Sequence, residues 1–399
     1  MALKYLQAQW WLWLGRRRSS KEDYAAALTS YKRVLQSFPN HLRALANVGN
    51  CLDHQGLYPE AVEFYDRALQ NRADYADVHA RLGLIFWRQQ QYQESIDSLN
   101  RAFRMKPSLK KEAGFLLAFA RSLGKIGKIE DALAAYKEVI EIEPKSAEAF
   151  AGVGWALWSN GERKEAEAPL RDAINLSPSY ADAYDILGWV LRDLGRDEES
   201  VPVWRRLVEV KPDNCDALAS LGWALGGIGQ YREGISELKK VLAIDPTFPV
   251  HYSIGLYHFY LEEYQEAIEA EEKAIAQKPD ADAYCVIAIS HLAQGEYEPA
   301  IASCKQAIDL DSKSHLAWHN MGEAYLELGQ FEQAVSCLEK ALEIDPAIAE
   351  SRLQLGIAYL RTGNRPEALK QCQLLRDMDS GKAAELQSAI SPDGTMGRI

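Results

Sequence analysis

Along most of the chain, apolar residues return at offsets of three and four, the spacing that lines one face of an α-helix. That pattern itself recurs at a fixed interval, the one that separates Gly49 from Gly83 and Gly188 from Gly222. Gly49, Gly83, Gly154, Gly188, Gly222, Gly255, Gly322 and Gly356 each follow an apolar residue in the first half of a unit. A turn residue, an aromatic and a small residue come next, as in Gly56-Leu57-Tyr58 with Ala61, Gly229-Gln230-Tyr231 with Gly234, Gly295-Glu296-Tyr297 with Ala300 and Gly329-Gln330-Phe331 with Ala334. Units then stop at a proline such as Pro39, Pro107, Pro144, Pro178, Pro212, Pro246, Pro279 or Pro346, or at a stand-in such as Ala73, Ser312 or Ser380. The register predicts two amphipathic helices per unit and no sheet. The early glycine and the later small residue let the two helices approach closely, the mid-unit glycine turns the chain, and the proline ends the second helix.

A two-helix hairpin cannot bury its apolar face alone, so successive units must stack into one body. The units fall at 8–41, 42–75, 76–109, 113–146, 147–180, 181–214, 215–247, 248–280, 281–314, 315–348 and 349–382, with Lys-Lys-Glu at 110–112 as an insertion. Residues 1–7 form an N-terminal extension, 383–390 a capping helix and 391–399 a flexible tail. The units that start at 215 and 248 are one residue short, most simply in the loops after Pro246 and Pro279. The eighth unit is expected to be the weakest, because Glu271 occupies a slot that other units fill with Tyr, Leu or Trp.

This pattern resembles the tetratricopeptide repeat, with many features in register over nearly the whole chain. The resemblance implies an all-α, right-handed superhelical solenoid of about eleven tandem helix-turn-helix repeats. It also implies that the first helices line a concave groove and that the protein is a scaffold or adaptor for other proteins. No room remains for a separate catalytic domain.

Candidate chemistry adds little to that picture. The chain has no Gly-rich phosphate loop, no nucleophile elbow, no His-Glu-x-x-His and no paired-cysteine site, so no enzyme activity, cofactor or metal is expected. His258 and His291 share a slot in neighbouring units but lack third and fourth ligands.

The groove is more informative. At 100° per residue, Trp155 lies well round the helix from the core slots Phe150, Val153, Gly154 and Leu157. Trp189 and Trp223 repeat its slot one and two units further on, Trp158 adds one turn, and Tyr252, Leu256 and Phe259 extend the row. These seven residues are read as an aromatic stripe for an extended or helical segment of a partner. The competing reading makes them the packed edge between repeats. Some members of the resembled family grip a C-terminal carboxylate with Lys, Asn and Arg. Here Arg16, Asn47 and Arg81 match in type or charge, but Leu12 and Asp77 hold the remaining slots, and an aspartate would repel the ligand. Arg16, Asn47, Asn50 and Arg81 therefore mark only a secondary polar stretch.

Charge and composition change the picture at one end. A formal net charge of −12 argues against a general nucleic-acid binder. Up to His41 the balance is reversed: Lys4, Arg16, Arg17, Arg18, Lys21, Lys32 and Arg33 face only Glu22 and Asp23. Trp10, Trp11, Leu12, Trp13 and Leu14 surround the first helix with apolar surface that something must cover. A partner or a second copy of the chain ranks first, residues 1–7 folding back second, and a membrane surface third. The alternative function is thus a self-assembling structural protein that forms oligomers through this repeat, and head-to-tail contact with the C-terminal cap is one route. The run is shorter than the roughly 20 apolar residues of an integral membrane segment. Its charges follow it, the reverse of a secretory signal. Six scattered cysteines without a C-x-x-C pair fit a reducing, cytoplasmic setting, with Cys304 and Cys372 as small buried hydrophobes.

Overall fold

The computed structural model describes residues 2–391, and all their regular structure is helical. The series opens with α1 (Ala2–Ser19), α2 (Tyr24–Ser37), α3 (Leu42–His54), α4 (Tyr58–Asn71), α5 (Ala76–Arg88) and α6 (Tyr92–Met105). It continues with α7 (Ala113–Lys125), α8 (Ile129–Ile142), α9 (Ala147–Ser159), α10 (Arg163–Leu176), α11 (Ala181–Asp193) and α12 (Asp197–Val210). Next come α13 (Cys215–Gly227), α14 (Tyr231–Ile244), α15 (His251–Tyr260), α16 (Tyr264–Gln277), α17 (Ala281–Ala293) and α18 (Tyr297–Leu310). The last five are α19 (His315–Glu327), α20 (Phe331–Ile344), α21 (Ala349–Arg361), α22 (Arg365–Met378) and α23 (Ser380–Ile390). The chain forms two compact units that divide between Val203 and Trp204, inside α12.

The repeating glycines do what the register predicts. Eight hairpin turns place a glycine at φ between 70° and 85°, and in three more Glu22, Gln90 and Glu262 take φ near 60°. Eleven hairpins therefore share one left-handed turn residue, and the three without glycine bear a strain that glycine avoids. The early glycine of the first helix is a notch for the second. A Cβ added to Gly49 would meet the Tyr65 ring, one on Gly83 would meet Leu99, and one on Gly154 would meet Leu170. The core of the first unit runs through Leu116, Val139, Leu170, Leu187 and Leu191, and that of the second through Leu218, Leu238, Val241 and Ile254.

Four details differ from the sequence reading or refine it. Residues 107–111, on the edge of the inserted Lys-Lys-Glu, wind into a short 3-10 helix. The N-terminal extension does not fold back over the tryptophans, because α1 runs unbroken from Ala2 to Ser19 and Trp10 and Trp13 stay exposed. The missing residue after Pro246 removes more than loop: α15 has 10 residues where α13 and α17 have 13, and no side chain caps its start. The capping helix starts at Ser380, where the Asp379 carboxylate accepts the Gly381 and Lys382 N–H groups, and of the tail only Ser391 lies within the described residues.

Candidate partner-binding surface

Within the first compact unit, helices α4 to α9 and α11 wall a cavity of about 780 Å³. Its apolar wall is aromatic: Tyr58, Trp87, Tyr92, Tyr136, Trp155 and Tyr180. Two glycines make room for the rings. A Cβ on Gly124 would come within 2.6 Å of the Trp155 indole, and one on Gly152 would strike the Tyr136 ring. Trp155 therefore packs on the first helix of the preceding unit and lines the cavity at once.

Charge enters through Arg88, Arg121, Lys125, Glu148 and Asp182. Arg121 pairs with Glu148, and its guanidinium lies 5.3 Å from the centre of the Trp87 ring. Arg88 pairs with the buried Asp53 and lies 5.8 Å from the Tyr58 ring centre. Burial raises the Glu148 carboxyl above its ordinary range, and the neighbouring Arg121 only partly offsets this. Burial likewise raises the Tyr180 phenol. The wall thus offers flat apolar rings whose polar edges, with the arginines, can hold backbone or carboxylate groups of a bound segment.

The seven residues of the expected stripe fall in both compact units. In the first, Trp155 lines the cavity, while the Trp158 indole N–H donates to Asp193 Oδ2 at 2.8 Å and so ties α9 to α11. Trp189 is half-buried, with the Arg192 guanidinium 5.4 Å from its ring centre. In the second, the Trp223 indole N–H donates to Ser253 Oγ at 3.0 Å. Leu256 and Phe259 are half-buried and Tyr252 is exposed. Of the secondary polar stretch, Arg16 is exposed, Asn47 is half-buried, and Asn50 keeps a buried amide oxygen without a partner. Arg81 lies 5.8 Å from the Phe115 ring centre, and Asp77 is held by Lys106 at 2.7 Å. On α1, Trp11 is covered by Arg33, whose guanidinium is 4.1 Å from the ring centre.

Trp87 and Arg121 were not among the expected residues, yet both had a signal. Arg121 stands one repeat interval before Trp155, in the same slot. Trp87 shares the slot of Trp158, but the insertion at 110–112 stretches the interval and hides the match. The Nδ1 atoms of His258 and His291 each lie 2.7 Å from a carboxylate of their own unit, Glu263 and Glu296. Among the described residues no group of three or more potential metal ligands converges, and no helix is long and apolar enough to cross a membrane. Cys304 and Cys372 are buried, and all six cysteines are unpaired.

Helical hairpins in a common register, carrying aromatic and charged side chains on their first helices, define a helical-repeat scaffold protein. Tetratricopeptide repeat profiles match residues 12–76, 76–109, 117–185, 181–214, 216–248, 315–347 and 349–371, and a TPR repeat profile matches 290–329. The chain belongs to the tetratricopeptide repeat family. No curated protein sequence matches it. Among solved structures, a tetratricopeptide repeat protein from Parabacteroides merdae ATCC 43184 is similar at 17% identity, over 61% of this chain and 98% of its own, with a TM-score of 0.51. The APC/C hetero-tetramer Cut9–Hcn1 is similar at 17% identity over 95% and 89% with a TM-score of 0.49, and yeast Tom70 at 14% over 96% and 94% with 0.41. These likenesses concern the fold.

Proposed function

We propose that the protein is a non-enzymatic scaffold that holds a peptide or helix of a partner protein in the aromatic cavity of its first compact unit. The cavity itself carries this reading: about 780 Å³, with six aromatic rings and two arginines on its wall. A segment laid there would bury its side chains against Trp87 and Trp155 and place its polar groups near Arg88 and Arg121. Trp223, Tyr252 and Phe259, with the aliphatic Leu256, would serve as the second unit's own residues for partner contact. Oligomerisation through the first repeat is the second reading, favoured by the exposure of Trp10 and Trp13.

The test is a pull-down from the native source followed by affinity measurement on the recovered partner. Trp155→Ala should weaken binding by about 2 kcal/mol or more, as a central aromatic anchor does. Trp189→Ala, in the same slot one unit on, should weaken it too if the stripe acts as one surface. Leu187→Ala is the control, because Leu187 is fully buried and its loss damages folding instead. A Trp155→Ala protein with unchanged affinity would sink the cavity as the site.

A further inference from the structure

Leu3, Leu6, Trp10 and Trp13 follow one another at helical spacing along α1 and are 81%, 66%, 51% and 53% exposed. The opposite face of α1 is spent on α2: Ala8 and Leu12 are buried, and Gly15 receives the Tyr31 ring. The register says what the exposed face is built to meet. Trp10 stands in the slot filled by Ala44, Val78, Phe115, Ala149 and Ala183 in the later first helices of the same compact unit. None of those five is more than 6% exposed. Each of those first helices is packed by the second helix of the unit before it, as α2 packs α3 and α8 packs α9. In α1 the slot holds a tryptophan that is 51% exposed, with the Trp11 ring of the same helix edge-on to it at 4.4 Å. An exposed helix face built of leucine and tryptophan requires a cover.

The charge around the stripe selects among covers. α1 carries Lys4, Arg16, Arg17 and Arg18 and not one acidic residue. Arg17 continues the stripe and lies over the Trp13 ring at 5.4 Å. A second α1 would bring the same positive charge to the contact. The last helix, α23, offers no apolar counterpart either, although Leu369, Leu374 and Met378 of α22 are partly open. There α23 drives Leu386 into the notch of Gly356 and turns Ala384, Glu385, Ser388 and Ala389 outward. We infer that the exposed face of α1 docks an acidic amphipathic helix of a partner protein, which takes the place a preceding second helix holds in the later repeats. Leucine-type side chains of that helix would lie on the stripe, and its carboxylates would reach Arg16 and Arg17.

The experiment uses the full chain and two labelled, helix-stabilised peptides three heptads long with leucine at the apolar heptad positions. One carries glutamate elsewhere and the other lysine, and binding is read by fluorescence anisotropy. The glutamate peptide should bind at least tenfold more tightly than the lysine peptide. Trp10→Ala/Trp13→Ala should weaken it at least tenfold, and Arg16→Glu/Arg17→Glu should remove the preference for glutamate. All four side chains are exposed, and unchanged far-ultraviolet spectra would verify that the variants fold. Equal binding of both peptides, or binding that survives the tryptophan substitutions, overturns the inference. Loss of glutamate-peptide binding in Trp155→Ala also overturns it, by placing the peptide in the cavity. A wild-type dimer that the double tryptophan variant dissolves makes a second copy the occupant. Binding to phosphatidylserine vesicles without binding to the glutamate peptide makes it a membrane.

Discussion

In the fifth unit, residues 147–180, Leu170 of the second helix fills the notch of Gly154 and is fully buried. In the eighth, residues 248–280, Glu271 holds the same place over Gly255 and is also 0% exposed. Leucine there gains from leaving water, whereas both carboxylate oxygens of Glu271 lack a hydrogen-bond partner. The first helices differ in the same sense. α9 has 13 residues and starts with the Ser146 side chain accepting the Ala149 N–H, while α15 has 10 and no side-chain cap. One hairpin plan should thus carry two stabilities, because a repeat fixes where a side chain must go and leaves open what it costs to be there.

The largest effect should come from emptying the leucine slot. Leu170→Ala should destabilise the fifth unit by about 2–5 kcal/mol, because a close-packed site over a glycine collapses poorly. Faster hydrogen exchange across 147–180 would report it, and near-neutral behaviour would break the comparison. Next, Glu271→Leu should make the eighth unit resemble the fifth and stabilise it by about 1–3 kcal/mol, the usual penalty of an unsatisfied buried polar group. Urea denaturation of the two proteins at pH 7.5 measures this. A less stable variant would mean that Glu271 has a favourable role in the folded chain.

The same residue should make stability depend on pH. Burial, with Asp280 nearby, pushes the Glu271 carboxyl up from 4.5 to about 9. The folded chain then keeps a proton that the unfolded chain releases between those values, so stability must fall as pH rises through that window. The contribution is whole below about pH 4.5 and is lost as pH climbs towards about 9. The stability gap between Glu271→Leu and wild type should therefore be wider at pH 8.5 than at pH 5.5. A gap that does not change with pH would show that Glu271 finds a charged partner or water in solution.

Much of this was legible in the residues alone. The repeat interval, the notch glycines and the terminal prolines report local geometry, and local geometry is what a helical hairpin is made of. Glu271 stood out for the same reason, as one polar residue in a column of apolar ones. A helical wheel places the tryptophans in one stripe because it gives only the direction from an axis. It cannot say that the indole of Trp158 turns to Asp193 in the next unit, while Trp155 turns to Gly124 and the cavity.

By itself, then, the sequence determined the helices, their pairing, the turn at each hairpin and the stacking of units. Each depends on residues a few positions apart and on an apolar face that must leave water. The tertiary structure alone decided which aromatic rings are consumed in packing and which line a cavity, and that Tyr58, Arg88 and Tyr180 converge there from α4, α5 and the start of α11. It also decided that Trp10 and Trp13 of α1 stay about half exposed, whereas the slot of Trp10 is buried in the later repeats of the same unit. Exposure is a property of the neighbour as much as of the residue, and a neighbour more than one repeat away in sequence leaves no local trace in the pattern.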